Sequence, residues 1–274
     1  MSLQVTVPDY KRPIPDIQNT PDRRNIAINK VGIKNVRYPI TLPMRDGGVQ
    51  HTVADVNMYV ALPEQFKGTH MSRFVALLNE FKRDLHVDQL DDLLKRMQER
   101  LKAESAYFEV RFTYFIEKAA PVSGEKGMVD YRGAFFAERN GHGNAEVQIE
   151  VTAPVTTLCP CSKEISDRGA HNQRSEVTVR VRAANETVWI EDLVEIIERN
   201  SSCPIFSMLK RPDEKWVTEQ AYDNPKFVED VVRDITLELM ADPRIGSFSV
   251  ESENYESIHN HNAYALIECD MAQL

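Results

Sequence analysis

Residues 154–175 read PVTTLCPCSKEISDRGAHNQRS and gather Cys159, Cys161 and His171 with Lys163, Glu164 and Arg174. Thiolate and imidazole are the donors that zinc prefers, and a cysteine and a histidine at the two ends of one loop can close on a single ion. The same residues admit two other readings. A Cys-Pro-Cys stretch can be small apolar filler at a strand end, and a close thiol pair can do redox chemistry. A catalytic metal site needs a third protein ligand and keeps one position for water. Glu214 in KRPDEKWVTE, and His259 and His261 in SIHNHNAYA, are the candidates. Two positions apart, the histidines face the same way on a strand and diverge in a turn. Each could equally be a hydrogen-bonded structural group.

Two further segments carry charge at helix entries. Asn224-Pro225 marks one entry, and Glu229 and Asp230 fall in the first turns behind it. Acids there suit the positive end of a helix dipole. The functional alternative for Glu229 is a buried carboxylate whose two oxygens meet two N–H donors of a nitrogen-rich ring. KGTHMSRF opens another helix, where Thr69 or Ser72 can cap and Arg73 can bind phosphate or a carboxylate.

The elements that must hold these groups are legible from periodicity. Apolar alternation predicts strands over 28–42 and 51–62, joined by the RDGG turn at 45–48. Phe74, Leu77, Leu78, Phe81 and Leu85 fall on one helix face, as do Leu90, Leu93, Leu94, Met97 and Leu101. Strands over 107–117 and 127–139 follow. Past the NGHGN turn at 140–144 the order repeats, with strands at 147–151 and 177–181, helical faces at 190–197 and 228–239, and strands at 246–254 and 262–269. Both halves therefore read ββααββ, which predicts an α+β chain made of one module twice. The expected divisions are a Pro-rich extended arm over 1–25, ordered on a neighbouring surface, a first module over 26–140 and a second over 141–274. The second module alone carries long irregular segments, at 154–172 and 201–225, where functional groups concentrate. Sheets of this kind would join edge to edge, within the chain and between chains, into a barrel-like oligomer with sites between modules.

Composition narrows the function. Lys and Arg number 33 against 42 Asp and Glu, a net charge of −9, which disfavours a nucleic-acid polymer as partner. A local basic pocket can still hold one anionic small molecule. No apolar run reaches the roughly 18 residues of a membrane span, and the start lacks a signal-peptide core, so a cytoplasmic protein without a membrane partner is expected. Phosphate-loop and dinucleotide fingerprints are missing, as is the nucleobase-deaminase pairing of H-x-E with P-C-x-x-C.

PVTTLCPCSKEISDRGAHNQRS resembles the signature of the type IB GTP cyclohydrolases I. KGTHMSRF, CPIFSMLKRPDEKW, NPKFVEDVVRD and ESIHNHNAYA resemble that family too, in the same order over almost the whole chain. The resemblance implies the tunnelling fold, whose unit is ββααββ, and a homotetramer with active sites at subunit interfaces. It implies hydrolysis of GTP to 7,8-dihydroneopterin triphosphate and formate, the first step of tetrahydrofolate synthesis, with zinc or manganese as cofactor. Carried onto this chain, Cys159 and His171 are metal ligands, Glu214 is an acid that approaches the metal, and His259 is a catalytic or metal-site histidine. Glu229 anchors the guanine edge, and Lys163, Arg174 and Arg73 receive the triphosphate. Two alternatives stay in view: a nitrile reductase of the same fold, with a cysteine nucleophile and NADPH, and a non-catalytic pterin- or purine-binding protein.

Overall fold

Period-two alternation of apolar side chains builds the sheet, and the change to a helical period builds its cover. A computed structural model describes residues 16–18, 20–80, 85–184 and 186–273. The first half contains strands β1 (Ile28–Pro43) and β2 (Val49–Leu62), helices α1 (Met71–Glu80) and α2 (Leu90–Leu101), and strands β3 (Ser105–Ala119) and β4 (Lys126–Asn140). The second contains β5 (Glu146–Leu158), α3 (Pro160–Ile165), β6 (Asn172–Ala183), α4 (Ile190–Arg199), β7 (Cys203–Pro204), α5 (Arg211–Asp223), α6 (Val228–Ala241), β8 (Ile245–Asn254) and β9 (Ala263–Asp270). The class is α+β.

All strands enter one antiparallel sheet, in the order β1-β2-β3-β4-β5-β6-β8-β9, with the short β7 paired to β5. The halves join edge to edge through β4 and β5. Register carries one apolar row across the whole sheet. Val56 pairs with Val110, then Phe135, Ile149, Val181, Phe248 and Cys269 follow strand by strand. Partners in register project to the same side, so this row defines one buried face. Helix α2 packs on β3 and β4, α4 on β5, and α6 on β8 and β9. The alternate row runs Asp55, Arg111, Ala134, Glu150, Arg180, Ser249 and Glu268, and forms a polar, uncovered face.

Buried polar contacts fasten the halves. The Tyr114 hydroxyl donates to Glu191 Oε1 at 2.6 Å, and Lys118 Nζ and the Tyr131 hydroxyl donate to Glu198 at 2.6 and 2.7 Å. Burial, with Glu191 beside it, pushes the Tyr114 phenol well above its usual value. Asp213, at the start of α5, is fully buried and accepts from the backbone N–H groups of Val122 and Ser123, the Ser123 hydroxyl and the Lys210 N–H, all between 2.6 and 2.8 Å. Burial alone would raise its carboxyl. Those donors outweigh it and hold the group well below the usual carboxylate range.

Several elements differ from expectation. Leu85 lies past the end of α1; it is buried, and its N–H donates to the Thr41 carbonyl at 2.9 Å. Phe81 lies outside the described residues. The irregular segment 154–172 is shorter than expected, because β5 runs on to Leu158 against both β6 and β7, and α3 follows. The segment 201–225 contains the whole of α5, whose sequence RPDEKWVTEQAYD has no apolar stripe. Its start is fixed by Asp213 instead. Residues 1–15 and 19 of the expected arm lie outside the described residues, and the described remainder lies against this chain itself. Pro21 bridges to Phe66, Asp22 N–H donates to the Gln65 carbonyl at 3.1 Å, and Gln18 Nε2 donates to the Thr69 carbonyl at 3.0 Å. Among the described residues no helix is long and apolar enough to cross a membrane.

Candidate functional site

The pairing of β5 with β6 brings the cysteine and histidine together. Leu158 faces Asn172 in register, so Cys159 and His171 are the next pair along. The Cys159 N–H continues the ladder by donating to the His171 carbonyl at 3.1 Å. Between them α3 and a left-handed Gly169 (φ 74°) turn the chain. Cys159 is the N-cap of α3, its Sγ accepting from the Ser162 N–H at 3.4 Å, and Pro160 starts the helix with the φ it already prefers. Ser162 ties the pair a second time: its hydroxyl donates to the Cys159 carbonyl at 3.1 Å and accepts from the His171 N–H at 3.2 Å.

Other elements converge on this end of the sheet. The Leu158 N–H donates to Ser202 Oγ at 3.1 Å, and its carbonyl accepts from Lys226 N–H at 3.0 Å, just ahead of α6. After β8 the Tyr255 N–H donates to the Arg174 carbonyl at 2.9 Å and starts the loop 255–262. From that loop Ser257 Oγ lies 3.4 Å from His171 Nδ1, which turns the other ring nitrogen, Nε2, away from this contact. His259 and His261 sit in the same loop, exposed, with rings stacked at 5.1 Å and 10°.

Each expected residue can now be placed. Cys159 and His171 are adjacent and half-buried, and His259 rides on the loop that touches His171. Glu229 is in the first turn of α6 and is exposed in the single chain, where the anchoring reading expects a carboxylate buried around its substrate. Its neighbour Asp230 does the capping, accepting from the Phe227 N–H at 2.9 Å, which leaves Glu229 free of that duty. Lys163 bends onto α5, donating to the Tyr222 carbonyl with its Nζ 4.4 Å from the Tyr222 ring centre. Glu214 is exposed near the opposite end of α5, eight residues before Tyr222 and so about 12 Å away along the axis. The alternation that buries Gln173 and Ser175 turns Arg174 to the uncovered face. Arg73 lies in the first half, its Nη1 on the Arg100 carbonyl at 3.4 Å. One chain thus brings Cys159, His171 and the His259 loop together, turns the Arg174 side chain to the other face of the sheet, and leaves Glu214 and Arg73 on other elements. Among the described residues no three His, Cys, Asp or Glu side chains form a ready-made metal cluster. The thiol and imidazole pair suits a divalent ion in its donor chemistry.

Sequence reasoning passed over a buried polar network beneath this pair. Gln173 Nε2 donates to Thr157 Oγ1 at 2.8 Å, Thr157 meets Ser175 Oγ at 2.8 Å, and Ser175 donates to Asn254 Oδ1 at 2.7 Å. Gln173 Oε1 and Ser252 Oγ are buried with no partner among the described residues. A signal was present. The inward series Val181, Val179, Val177 continues as Ser175 and Gln173, polar residues where the alternation calls for apolar ones.

The family model described as type I GTP cyclohydrolase FolE2 matches residues 14–265. The chain belongs to that family. The FolE2 match states type I without the IB subdivision that the motifs suggested. Among curated relatives, the GTP cyclohydrolase FolE2 of Methylobacillus flagellatus is 56% identical over 258 residues, covering 94% of this chain and 96% of the relative. That of Nitrosococcus oceani is 54% identical over 262 residues, covering 96% and 97%. Among solved structures, a mutant urate oxidase of Bacillus sp. TB-90 superposes with a TM-score of 0.54 at 11% identity, covering 90% of this chain and 100% of that one. The urate oxidase of Bacillus subtilis 168 gives 0.53 at 11% identity, covering 89% and 100%. At such identity the likeness concerns the fold alone, which is tunnelling-fold-like.

Proposed function

We propose that the Cys159–His171 end of the sheet is where this FolE2-family GTP cyclohydrolase opens the guanine ring of GTP. The activity, in folate biosynthesis, follows from the family; the site and its mechanism are our reading. The observation that carries it is the β5–β6 register, which sets a thiol opposite an imidazole at the site motif of a cyclohydrolase family. We further read the protein as type IB, cytoplasmic, built of two tandem modules (26–140 and 141–274) and assembled as a homotetramer with interfacial sites. That assembly would supply what one chain leaves apart.

In this reading Cys159 and His171 hold zinc or manganese, with Glu214 and His259 completing the set. When bound, such an ion acidifies water and polarises the reacting centre. The chain's own residues do the rest. Glu229 accepts the guanine N1–H and exocyclic amine through two oxygens, which fixes the base. His259, where it stands off the ion, delivers a proton at N7, making C8 electrophilic to water; where it ligates instead, His171 is the alternative donor. Water adds at C8, the ring opens, and a second hydration releases C8 as formate. The ribose then rearranges to a ketone, and the freed amine condenses with it, expelling one water, to close the ring of 7,8-dihydroneopterin triphosphate. Lys163, Arg174 and Arg73 receive the triphosphate, Lys163 by exchanging the Tyr222 carbonyl for phosphate oxygens.

The test is incubation of the purified protein with GTP and manganese or zinc, following formate and the fluorescence of the oxidised pterin. Both products are expected from the native chain. Cys159→Ala should lower turnover at least about 100-fold and sharply weaken metal binding, with the fold intact by circular dichroism. Full turnover and full metal content in that variant would overturn the site. NADPH consumption would point to the reductase reading, and binding of GTP without products to a binding protein.

A further inference from the structure

Three adjacent strands change character at the same end of the covered face. On β5 the inward series Val151, Ala153, Val155 continues as Thr157. On β6 Val181, Val179, Val177 continues as Ser175 and Gln173, and on β8 Phe248 and Val250 continue as Ser252 and Asn254. These polar side chains are buried, Thr157 and Ser175 completely and Asn254 with 3% exposed. Four of them form one chain of hydrogen bonds across the three strands, from Gln173 to Thr157 to Ser175 to Asn254. Ser175 gives its only proton to Asn254 Oδ1, so the Thr157 hydroxyl donates to Ser175 and every bond runs the same way. Hydrogen bonds chained in this way strengthen one another and hold a single arrangement, which apolar side chains in their place would not impose.

The chain lies next to each part of the site. Thr157 is two residues before Cys159, and Gln173 is two residues after His171. Asn254 is the last residue of β8, paired in register with Ser175 on one side and Ala263 on the other, and so forms the base of the 255–262 loop. The loop has little of its own to fix it. Residues 257–262 are all exposed, and its contact with the site is Ser257 Oγ at 3.4 Å from His171 Nδ1. Its placement therefore depends on its base. We propose that Asn254 is a positioning residue for the cyclohydrolase reaction. The Ser175 bond sets the base of the loop, and the loop sets Ser257 on His171 and carries His259 to the same end of the sheet. This rests on the catalytic reading of the Cys159–His171 end. Glu229 stands on α6, outside the loop, so the effect falls on turnover and not on the hold on the base.

Asn254→Ala removes the acceptor, and Ser175→Ala breaks the same bond from β6 and serves as the test if the first variant does not fold. The first readout is hydrogen exchange in the metal-free full chain. The Tyr255 amide, bonded to the Arg174 carbonyl, should exchange at least about tenfold faster in either variant, with the amides of β3 unchanged. The second is steady-state kinetics with GTP and manganese: kcat should fall at least about tenfold, with KM within about twofold of native. The third is a double-mutant cycle. Ser175→Ala should weaken manganese affinity about tenfold in the native background, but less than about twofold when Ser257→Ala is already present, because the contact it supports is gone. Unchanged exchange at Tyr255 would overturn the strut. Faster exchange with kcat and manganese affinity unchanged would overturn the positioning role, as would additive losses in the cycle. A native chain that neither binds manganese nor turns over GTP would overturn the catalytic reading and this role with it, whereas the exchange result is independent of that reading.

Discussion

Ser257 illustrates how much of the site depends on residues with no chemistry of their own. Its hydroxyl lies 3.4 Å from His171 Nδ1 and so biases the imidazole toward presenting Nε2. Ser257→Ala is therefore expected to weaken manganese or zinc affinity about tenfold, and Ser257→Thr to restore it. Competition with a chromophoric chelator measures this directly; unchanged affinity in the alanine variant would remove Ser257 from the positioning role. Glu229 makes a second prediction. With Asp230 doing the capping, Glu229→Gln should leave α6 and the metal content intact while raising KM for GTP about tenfold or more. Loss of metal in that variant would mean that Glu229 is a ligand and not an anchor. Cys203 separates from the other thiols at this scale: it is fully buried, and burial pushes it up to about 11, so it stays a packed thiol at neutral pH.

Among the elements, α5 shows a helix placed by its start and not by an apolar face. Its sequence offers one buried acid, Asp213, which takes hydrogen bonds from both the β3–β4 turn and its own entry. Asp213→Asn replaces an acceptor oxygen by a donor amide among donors. It should lower the melting temperature by about 5 °C and loosen α5. The sign of the pH effect follows from the depressed carboxyl. An unfolded aspartate titrates near about 3.9. The stabilisation is thus complete above about pH 4 and is lost as pH falls through the lower, folded value. Native protein should lose melting temperature on acidification below about pH 4 more steeply than Asp213→Asn. Equal slopes would show that Asp213 does not couple folding to protons.

The whole molecule is a sheet with one face covered and one bare. Helices take the row through Phe135, and the row through Arg111 and Arg180 meets solvent in a single chain. That face is not apolar. Arg111 and Arg180 stand 5.0 and 4.4 Å from the ring centre of Phe136, and Arg180 pairs with Glu150. A polar face is compatible with a wet interior in a closed assembly. We expect analytical ultracentrifugation to give four chains of 31.4 kDa per particle, with activity falling on dilution into smaller species. Full activity from a monomer would rule out interfacial sites and require the 255–262 loop alone to complete the constellation.

The sequence by itself determined the long strands, the main helices and the assignment to the GTP cyclohydrolases. Alternation and helical spacing report burial directly, and several motifs in one order identify a lineage far better than any single motif. It also named the cysteine and histidine that the structure sets side by side, and the hairpin register explains their spacing. Tertiary structure alone decided the rest. Leu85 is buried outside a helix because a neighbouring strand, not helical period, accepts its N–H. Helix α5 escaped notice because its anchor is a long-range cluster of donors with no periodic trace. Glu229 and Asp230 look alike in sequence, and only the hydrogen bond to Phe227 tells cap from free carboxylate. Glu214 shares a motif neighbourhood with the site, yet the length of α5 carries it away within one chain. Local pattern records which face a residue must bury. Which residues meet across the molecule is set by register and by the directions in which helices run.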